Sequence, residues 1–268
     1  MTCGGRAPRD YSARIESNLL LGEKTGLLTV LCSAIADSAE PGQFVMVRSG
    51  SGDDPFLGRP LAVASVSEGT FTMVYRIVGK GTALLAKRRA GDELTVRGPI
   101  GHGFFSSREG LPLLEKVILA GGAVGAAPLL FAFQRLGTGR IERIIMGVAG
   151  CGWEEFASWL KEVFPAVELF SDDGKIGKKG TVLSGLPEEL PENTEIWACG
   201  PEGMLRAIAA RYPADGGRIR VALEARMACG MGGCLGCVIP VRSGQKRVCV
   251  DGPVFAASEV LWNELSPR

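Results

Sequence analysis

Histidine is almost absent: among 268 residues the chain has one, His102. A multi-histidine metal centre is excluded, and a nucleophile–histidine–acid triad has only one position to rest on. An excess of either charge is missing too, with 30 basic against 29 acidic residues and a formal net charge of +1. That balance gives no electrostatic reason to expect nucleic acid or an anionic membrane as partner. The N-terminus, MTCGGRAPRDYS, lacks the apolar core of a secretory signal. An unbroken membrane-length helix is lacking as well. The stretch from Val117 to Phe133 carries no charge, but Gly121, Gly122, Gly125 and Pro128 would break a spanning helix in its middle. A buried strand running into a buried helix accounts for it better. The expectation is a cytoplasmic protein.

What is present is ordinary globular composition, 46% apolar and 22% charged, with enough length for about two domains of roughly 100–200 residues each. Glycine is the exception: 38 residues is about twice the usual share of ~7%. So many glycines imply loops in which backbone closely approaches something. Eight cysteines are present, and four of them fall between Cys229 and Cys249. Without an export signal such a cluster points to metal rather than to a disulfide framework. Cys3, Cys32 and Cys151 take no role and read as core or surface thiols.

The first third reads as β. In Thr70–Val78, Phe71, Met73, Tyr75 and Ile77 alternate at period two, a half-buried strand. Gln43–Arg48, Leu61–Val66 and Glu93–Arg97 are further short strands, separated by turn residues, and together they predict an antiparallel barrel. The middle reads as α/β. Strands at Val117–Ala120, Ile141–Val148, Val167–Phe170 and Glu195–Cys199 alternate with helices at Ala126–Leu136, Trp153–Phe164 and Pro201–Tyr212. That alternation predicts a parallel sheet with a ligand crevice at the strands' C-terminal ends. After a strand at Arg218–Leu223 the chain becomes irregular. The predicted division is a barrel domain over 10–110, an α/β domain over 111–216 and a small C-terminal segment over 217–268.

The strongest signal is in that last segment. Cys229, Cys234 and Cys237 form C-x4-C-x2-C, and Cys249 follows. This is the plant-type [2Fe–2S] ligand spacing. The intervening glycines let the backbone curl and aim N–H groups at sulfur. A structural zinc site also takes four cysteines, though zinc knuckles usually show paired C-x2-C units, and only one is present here.

Two glycine turns follow strands and open helices: Gly121-Gly122-Ala123-Val124-Gly125 and Cys199-Gly200-Pro201. Both suit a pyrophosphate at a helix N-terminus, although tight strand–helix turns need glycine in any case. Asp172 and Asp173, at another strand end, could meet ribose hydroxyls or form an ordinary Asp-Gly turn. In the β part, Arg59 and Arg76 are candidate cations for a buried anionic ligand, and Tyr75 could lie against an aromatic ring. Their bland readings are exposed arginines and a strand tyrosine, and Thr82 reads equally as a helix cap.

Taken together, these motifs resemble a family. RPLA at 59–62, VYR at 74–76, GKGT at 79–82, GPIGHGF at 98–104, AGGAVGAAPL at 120–129, SDDG at 171–174, ACGPEGM at 198–204, RMACGMGGCLGC at 226–237 and VCVDGPVF at 248–255 run in order along nearly the whole chain. The chain looks like a ferredoxin-reductase-type flavoprotein with an appended [2Fe–2S] segment, and more closely like the electron-transfer subunits of NAD-dependent dihydroorotate dehydrogenase of the B type. The resemblance implies FAD in the barrel, held by Arg59, Pro60, Leu61, Ala62, Val74, Tyr75, Arg76, Gly81 and Thr82. It implies NAD(H) at Gly121, Gly122, Gly125, Asp172, Asp173, Gly200 and Pro201, with Cys199 beside the nicotinamide. It implies a cluster on Cys229, Cys234, Cys237 and Cys249. It also implies an FMN-containing catalytic partner, usually in a heterotetramer, whose electrons from dihydroorotate pass singly through the cluster to FAD and on to NAD⁺ in pyrimidine biosynthesis. Asp172 and Asp173 would repel a 2′-phosphate, which favours NAD over NADP.

Three positions depart from the family pattern. Ala62 replaces the serine of R-P-x-S, Ala123 stands where a third glycine is common, and His102 stands where a neutral polar residue is usual. Three other readings stay open. One is the reductase subunit of a different FAD/[2Fe–2S] complex, such as the bifurcating transhydrogenases, in which the first cluster ligand is often Asp. The others are a cluster-based redox sensor and a zinc-stabilised binding module.

Overall fold

The computed structural model describes residues 8–50, 54–108 and 113–265. Cys3 and part of the turn at 50–55 lie outside the described residues. The chain opens with strands β1 (Arg9–Leu20) and β2 (Thr25–Leu31), a short helix α1 (Ser33–Ala36), and strands β3 (Phe44–Arg48), β4 (Arg59–Ser67) and β5 (Thr70–Arg76). Helix α2 (Lys80–Leu85) and strand β6 (Glu93–Ile100) complete a closed barrel of order β1-β2-β5-β4-β3-β6, antiparallel throughout. The period-two pattern does what alternation requires: Phe71, Met73 and Tyr75 of β5 all turn into the barrel core. The sequence reading passed over β1, which carries many polar residues, and β2, a short apolar strand.

The second unit is built from β7 (Lys116–Gly122), α3 (Ala126–Leu136), β8 (Ile141–Val148), α4 (Glu154–Val163), β9 (Val167–Ser171), the two-residue β10 (Lys178–Lys179), α5 (Val182–Gly185), β11 (Thr194–Cys199), α6 (Glu202–Arg211) and β12 (Ile219–Ala222). These strands pair in parallel in the order β10-β9-β8-β7-β11-β12. The central β7 is buried on both faces, which is why it reads as the unbroken apolar run Val-Ile-Leu-Ala. Pro201 caps α6 from outside instead of sitting in its first turn, as the sequence reading had it.

The predicted boundary at 216/217 does not match the sheet. Strand β12 belongs to the parallel sheet, and after the hairpin β13 (Val238–Val241) and β14 (Gly244–Arg247) the chain returns as β15 (Val254–Ala256) to pair antiparallel with β12. The C-terminal segment is thus woven into the sheet edge, and its core residues Ile239, Val241, Val248 and Phe255 share one cluster with Ile196, Val221 and Leu205.

Barrel and sheet are locked together at Trp197. Its indole is fully buried, stacks on Phe104 at 4.7 Å and 5°, and donates its N–H to Glu195 at 2.9 Å. Phe104 follows β6, so the end of the barrel packs onto β11 directly. His102 contributes through its backbone, donating its N–H to Gly252 O at 2.5 Å. Among the described residues no helix is long and apolar enough to cross a membrane.

Candidate functional site

A cleft of about 380 Å³ lies between barrel and sheet. Arg59, Pro60, Leu61 and Ala62 line it from β4, Val74, Tyr75 and Arg76 from β5, and Thr82 from α2. The sheet contributes Gly125 and Cys199. The chain between β12 and the clustered cysteines contributes Leu223, Glu224, Ala225 and Met227. The expected barrel residues, the strand-end cysteine and the run leading into Cys229 therefore face one space.

Individual side chains differ from expectation. The Tyr75 ring is 1% exposed, fills the space opposite Gly26, and donates its hydroxyl to Asn18 at 3.0 Å. Burial, only partly offset by that bond, raises its pKa. Thr82 takes its bland reading as well as lining the cleft, accepting from the N–H groups of Val78 at 3.0 Å and Gly79 at 3.2 Å at the start of α2. Gly81 is not among the lining residues; a β-carbon there would meet the Arg59 guanidinium at 2.2 Å, so its role is to let Arg59 lie across the helix start. Arg59 also donates to Leu57 O. Arg76 stacks over the Trp153 ring at 5.0 Å and lines both this cleft and the next.

That second cleft, about 270 Å³, opens at the C-terminal ends of the parallel strands and is lined by Gly122, Ala123, Asp172, Pro201 and Met204. The two glycine turns meet there. A β-carbon on Gly125 would lie 2.4 Å from Cys199 O, and one on Gly200, whose φ is +153°, would lie 2.8 Å from Gly122 N. Backbone presses on backbone, so glycine is required. Gly121 has a packing role beneath Met146, which a β-carbon would meet at 2.3 Å. Gly200 and Pro201 also line a third space of about 410 Å³ with Glu202 and Glu224. Asp173 turns away from the cleft: its carboxylate accepts the Lys175 N–H at 3.0 Å and the Ser171 hydroxyl at 3.2 Å. Those bonds, the Lys175 N–H foremost, lower its pKa. Asp173 therefore makes the ordinary Asp-Gly turn, and Asp172 alone of the pair faces the nucleotide cleft.

Cys199 is a buried residue in the wall of the first cleft. Burial, then the negative charge of Glu224, pushes its thiol far above the ordinary range, so the group is neutral. The sequence reading missed Glu224, although it directly follows the predicted strand ending at Leu223 and so stands at the same sheet edge as the two glycine turns.

The four clustered thiols come as two pairs. Cys237 and Cys249 are each 3% exposed, with sulfurs 3.3 Å apart, and neither is in a disulfide. Cys229 and Cys234 lie in the loop that precedes Cys237. The Met231 N–H donates to Cys229 Sγ at 3.4 Å and the Gly236 N–H to Cys234 Sγ at 3.5 Å. Burial would push the Cys229 thiol up, but the N–H groups of Met231, Cys234 and Gly233 and the Cys234 thiol outweigh it, bringing the value to about 6. The buried Cys249 is pushed up to about 12 by burial and then by Cys237. A metal cation overcomes such a shift by ionising its thiol ligand outright. Among the described residues no three His, Cys, Asp or Glu side chains converge as they would on one ion. Two pairs suit a cluster whose four thiolates are shared between two irons, so the donor set fits the group.

Residues 224–261 match the family model of the iron–sulfur cluster binding domain of dihydroorotate dehydrogenase B. The chain is 36% identical over 256 residues to the dihydroorotate dehydrogenase B (NAD⁺) electron transfer subunit of Bacillus caldolyticus, covering 92% of this chain and 96% of that one. The chain belongs to this family of electron transfer subunits. A homologue of the same subunit from Aquifex aeolicus is 37% identical over 251 residues, again 92% and 96% of the two chains. Among solved structures, a chain of the NADH-dependent reduced ferredoxin–NADP oxidoreductase superposes with a TM-score of 0.80 at 29% identity, covering 98% of this chain and 93% of that one. The ferredoxin–NADP⁺ reductase of Neisseria gonorrhoeae, at 17% identity and a TM-score of 0.60 over 79% and 97% of the chains, shows the fold alone. This member of the electron-transfer family is an oxidoreductase subunit, and its cofactors are FAD, a [2Fe–2S] cluster and NAD(H).

Proposed function

We propose that this chain takes electrons from a dihydroorotate-oxidising, FMN-containing subunit at its cluster loop and delivers them to NAD⁺ at the edge of its parallel sheet. One observation carries the reading: the cleft bounded by Arg59, Arg76 and Cys199 has Glu224, Ala225 and Met227 as its other wall, and the chain reaches Cys229 two residues later. The barrel site, the nucleotide edge and the cluster ligands thus border one short path. The cofactors supply the chemistry, one-electron steps at the iron–sulfur centre and hydride exchange between flavin and nicotinamide. The chain's own residues supply position. Arg59 and Arg76 offer guanidinium N–H groups to phosphate oxygens, and the paired glycine turns let a pyrophosphate approach backbone N–H groups. Neutral Cys199 presents a small, uncharged surface where a nicotinamide would lie. Asp172 would accept ribose hydroxyls and repel a 2′-phosphate.

The partner's docking face is the cluster loop. Met231 is 49% and Leu235 61% exposed, and Phe56 and Leu57, beside Cys229 on the barrel side, are 66% and 44% exposed. Apolar side chains standing out around redox ligands suit a surface covered in the working complex, a heterotetramer in the cytoplasm. The 29% identity to the reduced ferredoxin–NADP oxidoreductase chain favours a second reading, a reductase subunit serving another complex. One experiment separates them. The complex is purified anaerobically from its own cells and dihydroorotate is added under a spectrophotometer. Bleaching of flavin and cluster absorbance, reversed by NAD⁺, supports the first reading. Bleaching by NADH but not by dihydroorotate supports the second, and bleaching by neither sinks both.

A further inference from the structure

Strand β6 carries a side chain that the relay does not use. Arg97 lies opposite Asp10 across the β1–β6 ladder. Its Nε and Nη2 each donate to one Asp10 carboxylate oxygen at 2.7 Å, a two-pronged pairing that fixes the plane of the guanidinium. With that edge occupied, Nη1 donates to the carbonyl oxygen of Cys229 at 2.8 Å, a residue 132 positions further along the chain. Arg97 is 27% and Asp10 52% exposed, and an ion pair so open to water contributes little stability by itself. What the pair accomplishes is the third bond, from the barrel to the first cluster cysteine.

The surroundings support the same role. Gly230, at φ +65°, is pressed onto the barrel: a β-carbon there would lie 2.7 Å from Met46 Cγ and 3.2 Å from Ile100 Cδ1. The loop carrying Cys229 therefore rests on β3 and β6 beside Arg97. Asp10, Arg48 and Arg97 line the small cleft of about 180 Å³ next to Cys229, so the local fixed charge is one net positive. The Arg97 guanidinium is near enough to the Cys229 side chain to interact with its charge.

We propose that Arg97 is a positioning residue for the cluster: clamped by Asp10, it holds the backbone of the first ligand to the barrel and sets a fixed positive charge beside that ligand's sulfur. The inference rests on the cluster assignment made above. It has two separable consequences. The charge favours whichever state of the bound group is more negative, the reduced one, so it raises the midpoint potential, and Asp10 opposes it. The forked geometry secures the loop, so it slows loss of metal.

The test uses the whole two-subunit complex, with iron, sulfide and EPR measured first on the unaltered protein. In Arg97→Gln the Asp10 charge is left uncompensated. The reduced-to-oxidised ratio at a fixed ambient potential falls about tenfold, a midpoint about 59 mV lower for one electron. In Asp10→Asn the ratio moves the opposite way, and the double variant returns toward the starting value. Arg97→Lys keeps the charge but not the fork. Its potential stays within a few-fold in ratio, while a chelator strips its iron several times faster. Opposite shifts in the two single variants cannot come from a merely loosened loop. If both shift the same way, or neither moves, the inference is overturned. If the unaltered complex holds one zinc instead of two irons and two sulfides, the assignment beneath it is what fails.

Discussion

Leu235 is held in a conformation that a leucine has no intrinsic reason to adopt. Its φ is +57°, in the left-handed region, and its side chain is 61% exposed, between Cys234 and Gly236. For a residue with a β-carbon the left-handed conformation costs about 1–2 kcal/mol. Glycine in the same place would escape that cost but bring an entropic penalty of about 0.5–1 kcal/mol. In the isolated chain Leu235→Gly is therefore neutral to stabilising, by up to about 1.5 kcal/mol. In the complex the sign reverses. Burying a whole leucine is worth about 1.5–3 kcal/mol, and roughly three-fifths of this one is still open to be covered, so the docked side chain contributes about 1–2 kcal/mol. Its loss weakens association with the catalytic subunit about 5–30-fold. Titrating the isolated subunit with its partner by calorimetry gives the affinity, and thermal melting of the subunit alone gives the stability. Leu235→Ala is the control: it keeps the strained backbone, loses most of the side chain, and falls in affinity without gaining stability. An unchanged affinity in both variants would refute the claim that this loop docks.

Further outcomes follow from the other sites. Gly125→Ala drives a methyl group to within 2.4 Å of Cys199 O and 2.6 Å of the Gly200 α-carbon; backbone cannot give way cheaply, so about 1–3 kcal/mol of stability is lost and the KM for NADH rises at unchanged iron content. Ala123 has φ +51°, and Ala123→Gly should raise the melting temperature slightly or leave it unchanged while Ala123→Val lowers it. Cys199 is an acid whose folded pKa is raised, so the folded chain keeps a proton that the unfolded chain releases. Its share of the stability is complete below the unfolded thiol value of about 8.5 and falls above it, by at most about 1.4 kcal/mol per pH unit. Cys199→Ser should flatten that part of the alkaline decline in melts between pH 8 and 10, and an unchanged slope would count against a buried neutral thiol. Arg76→Gln loses both the stack on Trp153 and a guanidinium shared by two clefts, so FAD content and NADH affinity should fall together; a fall in only one assigns Arg76 to one ligand.

What the sequence made legible was what depends on local chemistry. The cysteine spacing, the glycine turns after strands and the period-two pattern of β5 each act through residues close together in the chain. Barrel, parallel sheet and clustered thiols followed from them. What it hid depends on partners far away. Nothing near Tyr75 shows that its ring faces Gly26 and Asn18, because that face is chosen by the register of β5 against β2, Gly26 opposite Tyr75. The two aspartates of SDDG cannot be told apart until the loop's own hydrogen bonds claim Asp173. Arg97 reads as one more exposed strand arginine until a carbonyl 132 residues away is brought beside it. Glu224 was within reach, since the rule that places ligands at the C-terminal ends of parallel strands applies to β12 as it does to β11.

The same contrast explains why the parallel sheet continues past 217 with β12. A segment that hands electrons to a site in the barrel must keep a fixed distance from it, and a tethered but independent module would not. The chain therefore fastens its last fifty or so residues at several points. β12 pairs with β11 in the parallel sheet, Gly252 O accepts the His102 N–H after β6, and Cys229 O accepts from Arg97 on β6. The tip with Met231, Cys234 and Leu235 faces outward. A module boundary drawn in that segment predicts a cluster fragment that folds alone. The weaving predicts that a fragment beginning at residue 217 keeps β12 with β15 and β13 with β14 but loses β11, the bonds from His102 and Arg97 and part of its apolar core, and so fails to hold iron when expressed by itself, while the intact chain holds it without the catalytic subunit.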